Sequence, residues 1–423
     1  MTKPLPESPE EIARVKLDPG AVARRLQARP TIHRPVRTGA EISRIATAAI
    51  PKQRVVSVDA LRGFTMFWIL GGDGVAWALD EMSAGKSPVV SAVGKFFGTQ
   101  LSHVDWVGFR FYDLIFPMFI FVTGISIVFS LPRLVEHEGK AGAHLRVLRR
   151  FLLLFALGVI YYGGLSHKWP DIRLLGVLQR IAICYLAASL LFLNFRLRGA
   201  IVAFFALIVG YWALMTFVPV PGIGVGSFAK DANLANWIDA NYLPGSLWDR
   251  TRDPEGLLST LPAIATCLLG VFAGALLINP RLEPRQKALW LFGAGLVMLA
   301  GGYLWALQFP LIKAIWTSSF VLVTGGWSAL MLGAAYLIVD VCGLRRWATP
   351  FVWIGANAIT LYMINNLAGF YKIGTRLVGG DLGAFLNHAV SPGTGNFVAN
   401  VVGLAIAIAL AGYLYRRKIF LRV

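Results

Sequence analysis

The sequence predicts an all-α membrane protein, a polytopic bundle of about ten transmembrane helices with both termini in the cytoplasm. Three observations lead there. Of the 423 residues, 56% are hydrophobic and only 15% charged, against about 25% charged in soluble domains, and the mean hydropathy is +0.63. Successive apolar runs approach the roughly 20 residues that a bilayer span needs. Basic residues gather in every second connection between those runs. The net charge of +18 taken alone would suggest nucleic acid, but short Lys and Arg clusters between apolar runs instead orient membrane proteins.

Residues 1–54 are polar and basic, with Pro and Arg throughout and no apolar core. They read as a largely disordered cytoplasmic tail without a cleavable signal peptide. A short amphipathic helix near Pro9–Arg29 would lie on anionic lipid. Residues 55–423 then form the transmembrane domain. Spans are expected near 56–79, 109–131, 147–164, 174–194, 199–218, 256–278, 286–307, 318–341, 348–371 and 396–415. The tail up to Lys52–Arg54 is basic, as are Arg133–Arg150, Arg196–Arg198, Arg281–Lys287, Arg345–Arg346 and Arg416–Arg422. A miscounted helix would break that alternation, so count and orientation support each other.

The opposite face holds 80–108, 165–173, the long periplasmic loop 219–255, 308–317 and 372–395. The two long connections carry Trp, Pro, Gly and Asn, which suits ordered caps over a cavity. Pro117, Pro262 and Gly270 inside spans predict kinks or close helix contacts. No internal repeat is evident, which weakens an inverted-repeat transporter. The three cysteines, Cys184, Cys267 and Cys342, make no CxxC and read as small core residues, with neither a metal site nor a disulfide expected. Gly71-Gly72-Asp73-Gly74 lies within an apolar run and reads as a packing feature rather than a phosphate cradle.

Ionisable groups inside spans cost at least about 2.5–3.5 kcal/mol, so those that persist mark function. Asp59 and Arg62 stand at the cytoplasmic start of the first span, and Asp73 stands roughly 16 Å higher. Asp73, His103, Asp113, Arg173, Glu255 and Lys313 all fall toward the non-cytoplasmic half. The bland alternative is a set of interhelical ion pairs, for example Arg173 with Asp113 or Glu255. A shared depth with a histidine among the carboxylates favours a reaction or binding site. Imidazole beside a carboxylate is the minimal general-base arrangement, and His103 has Asp105 and Asp113 near it, with Trp106 between. Two other classes stay open: a small-solute transporter using the same charges, and a non-catalytic partner of an envelope-glycan assembly machine.

Several motifs resemble a known family. The run Ser57-Val58-Asp59-Ala60-Leu61-Arg62-Gly63 comes first. His103, Trp106, Gly108 and Asp113-Leu114-Ile115-Phe116-Pro117 follow. Then come Arg173 with Gly176-Val177-Leu178-Gln179-Arg180, Asp253-Pro254-Glu255-Gly256, Lys313 with Trp316-Thr317-Ser318-Ser319, and Gly355-Ala356-Asn357-Ala358-Ile359. In this order, over about 55 to 365, they are similar to the transmembrane acetyltransferases typified by heparan-α-glucosaminide N-acetyltransferase. The resemblance implies an acyltransferase of the bacterial inner membrane. It would carry acetyl from cytosolic acetyl-CoA to a periplasmic sugar amine or hydroxyl, a glycan or amino-sugar acceptor, with no metal and no nucleic acid. Lipid is the other expected partner, and a homodimer is among the expectations.

His103 matches the family's catalytic histidine, as general base or acetyl carrier, with Asp73 and Asp113 expected to act beside it. Asp73 stands where the family carries an asparagine near the acetyl group. An ionised Asp can only accept hydrogen bonds, so it is expected to orient His103 or bind the acceptor amine, and an acceptor other than heparan is expected. Asp59, Arg62, Arg149 and Arg150 are assigned to CoA, the arginines meeting its phosphates. Trp106, Arg173, Gln179, Arg180, Glu255, Lys313, Trp316, Ser318, Ser319 and Asn357 are assigned to substrate. Of these, Lys313, Ser318, Ser319 and Asn357 are candidate oxyanion donors. Trp237, Tyr242 and Trp248 are expected to shape the acceptor side.

Overall fold

A computed structural model describes residues 55–421; the basic tail over 1–54, with the helix expected near Pro9–Arg29, lies outside the described residues. The described chain is mostly helical. Helix α1 (Val56–Phe67) has no cap of its own. The Asp340 carboxylate instead accepts from the N–H groups of Val56 (3.1 Å) and Ser57 (3.0 Å), satisfying donors that every helix start leaves open. The chain then widens into a π-type turn over Trp68–Gly72, with Gly71 at φ +133°, a conformation glycine alone adopts cheaply. The Ile69 carbonyl at this break accepts from Asn365 Nδ2 at 3.2 Å. Helix α2 (Asp73–Ser83) continues the path, and α3 (Pro88–Gln100) packs back on it through Gly94 and Gly98.

Helices α4 (Phe111–Tyr161) and α5 (Val177–Phe217) are each too long for one crossing and each break once, at Gly139 (φ 73°, ψ 176°) and Arg196 (φ 57°, ψ −162°). Ser130 and Leu153 line one cavity, although a straight helix would hold them about 35 Å apart, so α4 doubles back. So does α5: Arg180 lies over Trp316 while Tyr211 donates to the neighbouring Ile315 carbonyl. Loop 219–255 is ordered by a two-stranded antiparallel hairpin, β1 (Phe228–Ala229) and β2 (Ala232–Asn233), and by α6 (Leu234–Tyr242). This hairpin is the small exception to an all-α fold.

Helices α7 (Thr260–Ile278), α8 (Pro284–Ala306) and α9 (Ser318–Ala335) follow, the last running into a π-type turn over Tyr336–Val341. Next come α10 (Thr349–Ala356) and α11 (Ala358–Leu367), then α12 (Phe370–Val378), α13 (Gly380–Ala389) and α14 (Thr394–Arg416). Among the described residues six helices are long and apolar enough to cross a membrane, or seven with the α10–α11 pair, which bends by 68°.

Small residues set the helix spacing. A Cβ on Gly63 would stand 1.7 Å from the Phe351 carbonyl oxygen, and one on Gly355 2.1 Å from that of Asp59, so α1 and α10 touch backbone to backbone. Gly270 is likewise a contact glycine, its Cβ position 1.9 Å from the Phe121 carbonyl oxygen. The core beneath is apolar, built from Met118, Ile120, Phe121 and Ile125 of α4, Leu268 of α7 and Phe320 of α9. Cys184 and Cys267 are buried there as free thiols, and Cys342 is exposed.

Candidate active site

His103 sits on the loop between α3 and α4, and three local features fix it. Trp77 Nε1 of α2 donates to the Leu101 carbonyl at 3.1 Å. Gly108, at φ +132°, turns the chain so that its N–H donates to the Leu311 carbonyl at 2.9 Å, bringing the His103 loop against the loop of Lys313. Asp113, in the first turn of α4 and only 1% exposed, then works in two directions. Its Oδ2 accepts from the Arg110 and Val104 N–H groups at 3.2 and 3.4 Å, and its Oδ1 lies 2.8 Å from His103 Nδ1. That contact assigns the Nδ1 proton to the Asp113 side and leaves Nε2 with a lone pair. Lys313 Nζ stands 3.2 Å from Nε2, 2.9 Å from Nδ1 and 3.4 Å from Asp113 Oδ1. Burial lowers the Lys313 pKa against the pull of Asp113 and Glu255.

His103 and Lys313 face a cavity of about 240 Å³ with mostly apolar walls, among them Ile115, Phe116, Phe119, Val177 and Leu178. Tyr161 and Tyr362 also line it, stacked at 4.4 Å, and Glu255 contributes a carboxylate. Asp73 does not reach His103. Its Oδ2 accepts from the Tyr112 hydroxyl at 2.7 Å, and the Tyr112 ring lies 4.7 Å from the His103 ring, so Tyr112 stands between them.

A buried ion cluster supports the far wall. Arg173 donates to Asp253 through Nε (3.0 Å) and Nη2 (2.7 Å), and to Glu255 through Nη2 (2.7 Å). It pairs with these two carboxylates, and not with Asp113. Its guanidinium is sandwiched between Tyr162 at 4.4 Å and Trp248 at 4.7 Å. Burial works to lower the Arg173 pKa, and the Asp253 bonds with the two carboxylate charges more than reverse it, so the group stays cationic. Burial pushes the Glu255 carboxyl upward against Arg180 and Arg173. Below the cluster, Arg180 donates to the Gly256 carbonyl (3.2 Å) and Ser259 Oγ (2.5 Å), and Asp239 accepts from the Leu257 N–H at 2.8 Å. Burial pushes Asp239 up to about 7.

Two further cavities continue from the chamber. One of about 350 Å³ shares Phe119, Leu178, Ile181 and Ile359 with it and adds Arg62, Ser126, Arg150 and Asn357. Asn357 stands at the bend between α10 and α11, 3% exposed, with neither amide atom hydrogen-bonded among the described residues. A buried amide without partners has a strong demand for one. Arg62 donates to Ser126 Oγ at 2.7 Å and to Asp59 at 3.3 Å. The other cavity, about 600 Å³, shares Ser130 and Arg150 with the second and is lined by Arg133, His137, Arg146 and Arg149.

The remaining assigned residues lie elsewhere. Trp106 Nε1 donates to the Phe228 carbonyl at 2.8 Å and anchors the β1–β2 hairpin. Trp316 Nε1 donates to Thr266 at 3.1 Å, Ser318 to the Ile208 carbonyl at 2.6 Å and Ser319 to the Phe309 carbonyl at 2.5 Å. These three are buried, and none lines the chamber. Gln179 is buried against Gly158, its amide without a partner among the described residues. Trp237 and Tyr242 pack on each other at 5.9 Å. Sequence reasoning missed Tyr112, Tyr161, Tyr362, Ser126 and Asp239. A helical reading of the second span, in which Tyr112, Ile115, Phe116 and Phe119 share one face, could have found Tyr112.

Comparison with known proteins identifies the family. The family model for the catalytic part of heparan-alpha-glucosaminide N-acetyltransferase matches residues 54–303. The human protein of that name is 27% identical over 443 aligned residues, covering 89% of this chain and 61% of the human one. The mouse protein is 27% identical over 380, covering 76% and 56%. The chain thus spans about three fifths of the length of these relatives. With the match running through the His103, Arg173 and Glu255 segments, this chain belongs to the family of the heparan-alpha-glucosaminide N-acetyltransferase catalytic domain.

Proposed function

We propose that the protein transfers acetyl through a membrane, from acetyl-CoA entering at the basic cavity to a sugar amine or hydroxyl at the end bearing His103. The observation that carries this reading is the run of three cavities with shared walls, arginine-lined at one end and ending at His103. Arg149, Arg150 and Arg146 suit the CoA phosphates, which guanidinium groups bind in bidentate fashion. The unpartnered amide of Asn357 suits the amides of the pantetheine arm. The relatives' name specifies N-acetyl transfer to a glucosaminide, which supports an amino sugar as acceptor.

In the chemical step the acceptor nitrogen attacks the thioester carbonyl carbon, and His103 Nε2 removes the proton. Asp113 holds Nδ1 and stabilises the imidazolium that forms. The tetrahedral oxyanion gains the Lys313 ammonium, 3.2 Å from Nε2, as its donor. The carbon–sulfur bond then breaks, and His103 returns the proton to the departing CoA thiolate. The apolar walls keep water from competing for the thioester.

The topology we infer has ten crossings. Helices α1 and α2 make one, the two arms of α4 and of α5 make two each, and α7, α8, α9, the α10–α11 pair and α14 make one each. The basic clusters then share one side, which the positive-inside rule assigns to the cytoplasm, and a bacterial inner membrane is the bilayer this suits. The test is purified protein with acetyl-CoA and glucosamine, reading CoA thiol release and the N-acetylated product. His103→Ala should abolish turnover while acetyl-CoA still binds. Near-normal turnover in that variant would remove the mechanism, and solute flux without CoA would favour a transporter.

A further inference from the structure

A fourth cavity, of about 450 Å³, lies beside the first and touches it only at Ile69. Its walls come from the broken first span, from Asn365 of α11 and from the outer ends of α12 and α14. The polar ones are Asp73, Glu81, Asn396 and Asn400, and the aromatic ones are Trp77 and Tyr371. Asn400 is 8% exposed. Its amide NH₂ donates to the Asn396 carbonyl at 2.9 Å, and its Oδ1 accepts no hydrogen bond among the described residues. Asn396 donates to Glu81 Oε2 at 3.1 Å and Tyr371 to Asn396 Oδ1 at 3.4 Å, so the wall is a connected set of amides and carboxylates. Trp77 is 48% exposed, although its indole N–H is tied to the segment leading to His103.

We propose that this groove is a second acceptor subsite, taking the neighbouring sugar units of a neutral or amine-bearing glycan and rejecting sulfated ones. The inference rests on the acetyl-transfer reading and names the acceptor class for it. Exposed aromatic faces with amide and carboxylate neighbours are the chemistry that holds hydroxyl-rich rings: apolar ring faces stack, and hydroxyls donate to acceptors. Among the lining residues the charged groups are Asp73 and Glu81, with no Lys or Arg. Two carboxylates attract an ammonium and repel a sulfate ester at contact distance. Asp73 closes the groove toward the chamber, and through Tyr112 it abuts the His103 ring. A sugar in the groove thus lies beside the chamber wall, and its next unit would pass over Tyr112 to reach the half-exposed His103 imidazole.

The test uses the full chain in lipid nanodiscs, with calorimetric binding of a glucosamine trisaccharide and of its 6-O-sulfated form, and acetyl transfer to the same two and to monomeric glucosamine. The unmodified protein should bind the amino trisaccharide at least tenfold more tightly than the sulfated one. Glu81→Lys should weaken the amino trisaccharide at least tenfold and narrow or invert that preference, while turnover of monomeric glucosamine stays within about twofold. Glu81→Gln should fall between. Equal binding of the two trisaccharides, no binding of either, or unchanged binding in Glu81→Lys would each overturn the proposal. If binding follows the expected pattern but no acceptor gains acetyl, the groove stands and the transfer reading falls. If transfer proceeds and Glu81→Lys alters neither trisaccharide, the reverse holds.

Discussion

Replacing Asp113 by Asn tests how His103 is organised. The substitution keeps the size of the side chain and most of its contacts to the Val104 and Arg110 N–H groups, but removes one negative charge 2.8 Å from Nδ1. In a medium of effective dielectric near 20, unit charges at that distance attract by about 6 kcal/mol. The imidazole side is 53% exposed, so solvent screens much of this, and about 2–3 kcal/mol remains for the imidazolium formed as the proton transfers. The same change leaves Lys313 in contact with that imidazolium without the anion that balances the two charges. The expected loss is thus roughly 30- to 150-fold in kcat, with KM for acetyl-CoA unchanged, because the proposed CoA phosphate site lies two cavities away. Thiol release under saturating substrates measures it, with the melting temperature as a control for folding. A kcat within threefold of the unmodified enzyme, in protein of unaltered stability, would refute the role given to Asp113. Adding Lys313→Met should cost less in the Asp113→Asn background than alone, because neighbouring groups of one network do not add.

Further outcomes follow from other parts of the fold. Asp239, pushed up to about 7 by burial, is favoured in its protonated form by the native state. Its contribution is therefore full below pH 4 and is lost as pH rises toward 7, about 4 kcal/mol in all. Asp239→Asn should flatten that part of the melting profile, and an unchanged slope would contradict it. Asn357→Ala should weaken acetyl-CoA binding by about tenfold, the worth of one hydrogen bond, as measured by calorimetry; unchanged affinity would remove Asn357 from the donor path. Gly63→Ala should be far more damaging than Gly71→Ala. The first drives a methyl into the Phe351 carbonyl and forces α1 from α10, whereas the second meets nothing within 4 Å and costs only its positive-φ backbone, about 1–3 kcal/mol. Equal melting temperatures would argue against the tight α1–α10 contact.

Much of this was legible in the chain before any coordinates. The apolar runs fall mostly on helix because only a helix satisfies backbone groups in lipid, a rule that needs no long-range information. The run over 56–79 nonetheless breaks at Trp68–Gly72, and that over 348–371 bends by 68° between α10 and α11. His103, Asp113, Glu255 and Lys313 could be singled out together because charge is costly at that depth, whichever helix carries it. What could not be read was direction. Ser318 and Ser319 stand beside Trp316 in sequence, yet all three spend their donors on buried partners of α5, α7 and the preceding loop. Asp73 comes near His103 but not into contact, because Tyr112, which donates to it, stands between them. The α10–α11 bend hides behind an ordinary-looking Ala-Asn-Ala run. Its only sequence sign is an amide in the middle of an apolar stretch.

The apolar wall of Phe119, Leu178, Ile181 and Ile359, common to the chamber and the cavity beneath it, bears on the bioenergetics of the proposed path. A conduit open to water at both ends would short-circuit the proton-motive force on which an energised bilayer depends. Apolar side chains lining such a path disfavour water and ions there, and on the proposed reading a flexible thioester arm would fill the space with its own atoms. On that reading the protein would work as an airlock, and a charged residue at Ile181 would turn it into a leak, visible as collapse of a pH gradient in sealed vesicles.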